Sequence, residues 1–312
     1  MSAIGVDVGG SKLLAVHIAD DGSVVDEYRS AGPAMGGGLV AAIGTVFAGL
    51  GVGEEIAACG VGIAGLVDHA TGVFIWGPHV AGTGVPVREA LQSRLGVPVV
   101  VANDANAAAV AEHRLGAGRG SEAMLMFTLG TGIGGAMILG GSLYRGRRFA
   151  GEFGHTRLVE GAHECDCGRR GCWETEAAGP ALERMAGEMI EADPTGSLAT
   201  ALGDAPVSGP AISAEAIAGN AEATALITRV GRAFGQGLST IVTIFDPDRV
   251  VIGGGLGSIG EMLLDPIRQA ADETRYADDH IELPPIIAAD LGERAGAVGA
   301  GLLALEAAGD HE

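Results

Sequence analysis

Three groups of residues have types and spacings suited to chemistry. Asn103-Asp104 follows the apolar run Val97–Val101 and opens a segment, Asn103–Leu115, that reads as a helix. A carboxylate held there can orient a hydroxyl group and accept its proton. An Asn or Asp at that point can equally serve as a helix N-cap, a purely structural duty. The second group is Asp7-Val8-Gly9-Gly10-Ser11-Lys12, just after the short apolar run Ile4–Val8. Glycines there let backbone N–H groups approach phosphate oxygens, Ser11 adds a hydroxyl donor, and Lys12, the chain's one lysine, adds a compact positive charge. Asp7 at the strand end can hold magnesium, directly or through water. The plain alternative is an ordinary hairpin turn. The motif is neither a Walker A sequence nor a Rossmann fingerprint, because no helix follows it.

Leu129-Gly130-Thr131-Gly132-Ile133-Gly134-Gly135 repeats this chemistry later in the chain, and Ile252-Gly253-Gly254-Gly255 turns from a strand toward a helix with room for an adenine or ribose. Two such hairpins facing each other across a cleft would clasp the phosphates of one nucleotide. The third group is His155, Cys165, Cys167 and Cys172. One imidazole and three thiolates make a closed four-ligand set with no position for a reacting water, which predicts a structural zinc site. A disulfide would leave one thiol over, and Cys165 and Cys167 are awkwardly close for a bridge. Cys59 stands alone in an apolar run. Glu152 and His155, three apart, share a face if their segment is helical.

The elements that must position these groups alternate strand and helix. The run Ile4–Val8, the run Leu13–Ile18 and the turn Asp20-Asp21-Gly22 read as a hairpin start. Residues 34–50 read as a helix weakened by Gly36-Gly37-Gly38, Ile56–Ile63 as a strand, Val87–Leu95 as a helix and Val97–Val101 as a buried strand. The pattern restarts with strand Ala123–Leu129, a Gly-rich turn and strand Ala136–Leu139, so a duplicated fold is expected. Beyond the segment 149–173, rich in His, Cys, Gly and Arg, come a helix at 175–191, a loop at 193–210 and a helical stretch at 213–244. Strand Val250–Ile252, helix Ile259–Ala277, strand Pro285–Ala289 and a final helix at 294–308 complete the reading.

At 312 residues the chain has room for two domains, and with 47% hydrophobic but only 4% aromatic residues its core must be built from Ala, Val, Leu and Ile, which suits α/β layers. A formal net charge of −20 opposes nucleic acid and anionic lipid as partners. No run approaches the roughly 20 apolar residues a membrane span needs, and the N-terminus MSAIGVDVGG meets an Asp too early for a signal peptide, so a cytoplasmic, reducing setting is expected. Clustered cysteines there point to metal before disulfide.

Taken in order, DVGGSK (7–12), GIAGLVD (62–68), VVVANDANAAA (99–109), LGTGIGGA (129–136), GEFGH (151–155), CDCGRRGCWE (165–174) and VIGGGL (251–256) resemble the ROK (repressor, open reading frame, kinase) family over essentially the whole chain. The resemblance implies the two-domain, actin-like, ribonuclease H-like α/β fold of sugar kinases and heat-shock chaperones, with a duplicated β-sheet core. It implies a small domain, 1–102 plus 296–312, carrying the first phosphate loop. The large domain, 103–295, would carry the zinc loop, the second phosphate loop and the adenosine-side Gly turn. The activity implied is ATP-dependent phosphorylation of a hexose, glucose above all, to the 6-phosphate, at the head of glycolysis. By the same resemblance Asp104 is the catalytic base, and Gly65, Asn103, Asp104, Glu152, His155 and Glu174 bind the sugar, His155 using the ring edge that faces away from zinc. Asp7, Gly9, Gly10, Ser11, Lys12, Gly130, Thr131, Gly132, Gly253, Gly254 and Gly255 would bind ATP and phosphate. ATP, Mg²⁺ and a structural Zn²⁺ are the implied cofactors, and a homo-oligomer, dimer or tetramer, is expected.

Three positions depart from the family pattern: Ser11 stands where Thr is usual, Ala64-Gly65 where many relatives have Pro-Gly, and His79 in GPHVAG where Asn is common. Kinases of N-acetylmannosamine and N-acetylglucosamine share nearly every motif and are the alternative reading. Polyphosphate-using glucokinases resemble a branch without the CxCG cluster, which favours ATP. Sugar-sensing ROK repressors carry a winged helix-turn-helix ahead of the DxGG strand, and with Asp7 seven residues from the start no room for one is expected. An actin-like polymer subunit would need neither Asn103-Asp104 nor a zinc site.

Overall fold

The apolar runs become the centres of two five-stranded sheets. A computed structural model describes residues 1–32, 38–51, 56–157 and 163–309. The chain first forms β1 (Ser2–Val8), β2 (Lys12–Ala19), β3 (Val24–Ala31), α1 (Leu39–Gly49), β4 (Ala58–Ile63), β5 (Leu66–Asp68), β6 (Val73–Trp76), α2 (Val87–Leu95), β7 (Val99–Asn103) and α3 (Asp104–Leu115). There follow β8 (Ala123–Leu129), β9 (Ile133–Leu139), β10 (Ser142–Leu143), α4 (Glu174–Ala177), α5 (Gly179–Ala192), α6 (Ser197–Leu202) and α7 (Gly209–Ile217). The last are α8 (Ala221–Phe245), β11 (Arg249–Gly253), α9 (Gly254–Gly257), α10 (Glu261–Glu273), β12 (Ile286–Ala288) and α11 (Ala295–Gly309).

The first sheet runs β3-β2-β1-β4-β7 and the second β10-β9-β8-β11-β12, so the second repeats the strand order of the first. In each, a parallel centre (β1/β4/β7 and β8/β11/β12) is joined to antiparallel hairpin strands. Parallel strands buried on both faces read as continuous apolar runs, as β1, β4, β8 and β11 do.

By their contacts the residues fall into two compact units: Met1–Glu122, Ala136–Gly151 and Asp290–Glu312, and Ala123–Gly135 with Glu152–Ala289. In the first, α11 lies so close to β1 and β4 that a Cβ at Gly5 would stand 2.6 Å from the Gly301 nitrogen and one at Gly60 would overlap the Ala300 carbonyl. Only glycine allows that approach. Helix α3, grouped in the sequence reading with the second domain, packs along α11 in this first unit. The fully buried Glu112 fixes it there, accepting backbone N–H bonds from Ala117 (2.9 Å), Asp290 (3.1 Å) and Leu291 (2.8 Å).

Several expected elements differ in extent. Residues 34–37 of the helix expected at 34–50 lie outside the described residues, and α1 covers Leu39–Gly49 of it. The stretch 213–244 is two helices, split where Gly219 takes φ +93° and the Asn220 side chain caps α8 through the N–H groups of Glu222 and Ala223. The expected loop at 193–210 contains α6. Strand β3 and the hairpin β5–β6 are additional. Among the described residues no helix is long and apolar enough to cross a membrane.

Candidate active site

In the first unit, β1 turns into β2 through a tight hairpin closed by Gly9 N–H to the Lys12 carbonyl at 3.0 Å, leaving Gly10, Ser11 and Lys12 at the surface. The backbone of His79 abuts this turn, since a Cβ at Gly10 would stand 2.8 Å from the Cβ and carbonyl oxygen of His79. Asp7, in parallel register with Gly62 of β4, sits at the strand's end.

Strand β7 ends at Asn103, and this residue takes the capping duty: its Oδ1 accepts from the N–H of Asn106 at 3.0 Å. Its Nδ2 donates to the Gly65 carbonyl at 3.1 Å and to Asp104 Oδ1 at 2.9 Å. Gly65 has φ +128°, a conformation that only glycine adopts readily. Asn103 thus connects the 62–65 loop to Asp104 and leaves the Asp104 carboxylate clear of the cap.

Asp7 and Asp104 keep part of their surface open while protein surrounds them on most sides. Burial pushes the Asp7 carboxyl up to about 7, the Asp104 charge adds to this, Lys12 opposes it and Glu293 reinforces it. Burial likewise raises Asp104, against the pull of backbone N–H groups of its own turn and the Asn103 side chain. A Cβ at Gly296 would stand 2.8 Å from Cγ of Asp7, so α11 leaves room for that carboxylate only because this residue is glycine. Neither Gly296 nor Glu293 was singled out in the sequence. The signal available was the recurrence of glycine at 296, 299 and 301 inside an otherwise regular helix.

In the second unit the Gly130–Gly132 turn is closed by Gly130 N–H to the Gly132 carbonyl at 3.0 Å and is met by the start of α5 through Gly179 N–H to the Gly130 carbonyl at 2.8 Å. Gly254, with φ +84°, packs on Leu129, where a Cβ would stand 2.6 Å from the Leu129 nitrogen; the Gly253–Gly255 turn therefore adjoins the second loop. Glu174, first residue of α4, accepts from the Ile133 N–H at 3.3 Å, and a Cβ at Gly132 would stand 2.7 Å from its Oε2.

The ligand atoms of His155, Cys165, Cys167 and Cys172 lie within 4.8 Å of one another. Nδ1 of His155 is 3.6 Å from Cys165 Sγ, and Nε2 is 3.9 Å from Glu152 Oε2, so one ring edge faces the thiols and the other faces Glu152. Cys167 and Cys172 sulfurs are 3.6 Å apart, well beyond a disulfide bond length of roughly 2 Å. Three thiols and an imidazole converging at these spacings fit a tetrahedral cation such as zinc. The loop is shaped by Cys165 N–H to the Arg169 carbonyl (2.8 Å) and Gly168 N–H to the Cys165 carbonyl (2.8 Å). It rests on an aromatic cluster in which Trp173 stacks on Phe234 at 4.5 Å and Phe153 meets Phe127 at 5.3 Å. Much of the chain's sparse aromatic content is spent here.

The residues that the sequence analysis expects at a site fall into two sets. Asp7, Gly9, Gly10, Ser11, Lys12, Gly65, Asn103 and Asp104 belong to the first unit. Gly130, Thr131, Gly132, Glu152, His155, the three cysteines, Glu174 and Gly253–Gly255 belong to the second.

Residues 3–307 match the ROK family. A glucokinase of Streptomyces coelicolor is 38% identical over 308 residues, 97% of each chain. Among solved structures, a ROK family glucokinase from Streptomyces griseus, in complex with glucose and AMPPNP, is similar with a TM-score of 0.91 and 38% identity, covering 98% of this chain and all of that one (100%). A ROK hexokinase from Thermus thermophilus follows with a TM-score of 0.76 and 35% identity, covering 99% of this chain and 100% of that one.

Proposed function

The chain belongs to the ROK family, and on that premise we propose that it transfers the γ-phosphoryl group of ATP to glucose, giving glucose 6-phosphate and ADP. It is a sugar kinase with the actin-like fold of its structural relatives. The observation that carries the mechanism is the division of labour at the β7–α3 junction: Asn103 caps the helix, so the Asp104 carboxylate is left available for a substrate hydroxyl.

In the reaction Asp104 accepts the proton of the sugar hydroxyl as its oxygen attacks the γ-phosphorus, and the bond from that phosphorus to the β-phosphate oxygen breaks. Asn103, Gly65, Glu152, His155 and Glu174 hold the sugar hydroxyls, His155 through its Nε2 edge. The N–H groups of Gly9, Gly10, Gly130 and Gly132, the hydroxyls of Ser11 and Thr131 and the Lys12 ammonium hold the phosphates and take up charge as the group moves. Gly253, Gly254 and Gly255 leave room for the adenosine. Asp7 would hold Mg²⁺, which when bound neutralises phosphate charge. His155, Cys165, Cys167 and Cys172 would hold a structural Zn²⁺ that fixes the loop bearing Glu174. The protein works in the cytoplasm as a homo-oligomer, which light scattering would test. The deciding experiment is turnover of Asp104→Asn with saturating glucose and ATP: loss of turnover with sugar binding retained supports the mechanism, and near-normal turnover removes it.

A further inference from the structure

Lys12 does not stand free at the first phosphate hairpin. Its ammonium is paired with one carboxylate oxygen of Glu293, while the other oxygen accepts from Arg29 Nη1 at 2.7 Å. Arg29 also reaches Glu27 at 3.4 Å, and Glu27 accepts from Arg294 Nε at 2.7 Å. The charges alternate along this row, and all five residues belong to the first unit. The Lys12 and Glu293 side chains are 56% and 55% exposed, so the pair is solvated and exchangeable rather than locked. Glu293 sits on the turn Gly292–Arg294 that leads into α11, and three residues further on Gly296 lies against Asp7. One short segment therefore borders both charged residues of the hairpin.

Taking Lys12 as a phosphate ligand, as proposed above, we infer that Glu293 sets nucleotide affinity: it is the counter-ion of the Lys12 ammonium and competes with the phosphates for it. Any phosphate oxygen within hydrogen-bonding reach of Lys12 Nζ comes within about 5 Å of a carboxylate still paired to that same nitrogen, and like charges at that spacing repel. Moving Glu293 off the lysine removes this repulsion, so its carboxylate opposes nucleotide binding whether it is exchanged or stays. Arg29 makes the exchange reversible, because it keeps Glu293 compensated after the lysine leaves. Glu293 touches Lys12 and not the reacting atoms, so it is a positioning residue whose effect falls on nucleotide KM.

The test is steady-state kinetics, with ADP binding by calorimetry, on Lys12→Ala, Glu293→Gln, Glu293→Asp, the double variant Lys12→Ala/Glu293→Gln, and Glu89→Gln, which removes an exposed charge from α2. Glu293→Gln is expected to lower KM for ATP and Kd for ADP by about 2- to 5-fold, the scale of one exposed ion pair, with glucose KM unmoved. Glu293→Asp, which restores the charge, should return these values toward wild type. Lys12→Ala should raise nucleotide KM, and adding Glu293→Gln to it should change little, since the partner is gone. An unchanged or raised KM in Glu293→Gln, alongside a raised KM in Lys12→Ala, overturns the inference and leaves the phosphate-ligand reading intact. The same gain in the Lys12→Ala background or in Glu89→Gln also overturns it, as a general charge effect. A Lys12→Ala variant with normal nucleotide KM removes the phosphate-ligand reading itself, and the inference falls with it.

Discussion

Asn103 and Asp104 are adjacent and nearly isosteric, but only Asp104 is basic, and the hydrogen bonds match this: Oδ1 of Asn103 caps α3, and its Nδ2 holds Asp104. Asp104→Asn keeps the shape and removes the basicity, so turnover is expected to fall by roughly 10²-fold or more with little change in sugar binding. Steady-state kinetics with isothermal titration of glucose checks this. The raised carboxyls of Asp7 and Asp104 also fix the direction of pH effects. The working forms are ionised, so kcat/KM should rise with pH, its acid limb lying above the ordinary Asp value of about 3.9. For stability the sign is opposite. A carboxyl whose folded pKa lies above its unfolded value favours folding when protonated, and that contribution is lost as pH rises toward and through about 7 for Asp7. Asp7→Asn should therefore raise Tm at pH 8, with the gain shrinking toward pH 5; a Tm lowered equally at both pH values would mean that the carboxylate is a structural acceptor instead. The strand, Asn-Asp, helix order marked Asn103-Asp104 as either a site or a helix cap, and only the family resemblance pointed to Asp104 as the base. Glu293 was not legible, because it is separated from Lys12 by 281 positions and meets it only when α11 docks on the sheet.

The loop bearing the three cysteines is the element whose chemistry the sequence expressed most directly, because a closed ligand set must come from Cys and His at short spacings. One zinc per chain is expected by elemental analysis, and Cys172→Ser should lose it together with several degrees of Tm. Glu174 follows Cys172 by two residues and contacts the second loop through Ile133 N–H, so sugar KM should rise in the same variant. Metal-free protein of unchanged Tm would contradict this. Helix α11 raises a different matter, since its approach to β1 and β4 depends on Gly5 and Gly60. Gly60→Val should cost about 3 kcal/mol or more through overpacking against backbone, which chemical denaturation measures. The buried strands were read easily because apolar runs have no other home. Strand β3 is an edge strand whose residues are mostly exposed or half-buried, so no hydrophobic pattern marked it. The break between α7 and α8 did carry a signal, Gly219-Asn220, a helix stop followed by an N-cap, but the apolar period on both sides masked it.

At the scale of the molecule the two sheets have one strand order, and that duplication was visible in the sequence as two strand, Gly-turn, strand units. What composition and motif order do not encode is where the contact boundary falls: α3 belongs with the first unit because its Glu112 accepts from Asp290 and Leu291 and its flank packs on α11, partners that come from the far end of the chain. The whole-chain likeness to glucokinases sets the substrate expectation, namely that kcat/KM for glucose exceeds that for N-acetylmannosamine and N-acetylglucosamine, and that ATP exceeds polyphosphate as donor. A 2-hydroxyl needs a close polar ligand, whereas a 2-acetamido group needs an apolar recess and an amide partner. His79 bears on this choice. Its backbone packs on the first hairpin at Gly10 while its side chain is exposed, so the imidazole is free to reach a bound ligand. If the ring lies over the sugar, it crowds the 2-acetamido group, and His79→Ala should raise activity on N-acetylglucosamine relative to glucose by several-fold, the scale of one lost steric contact in a specificity pocket. An unmoved ratio would confine His79 to supporting the hairpin. A wild-type kcat/KM for either N-acetylated sugar above that for glucose would overturn the substrate assignment while leaving Asp104 and the four-ligand site in their roles.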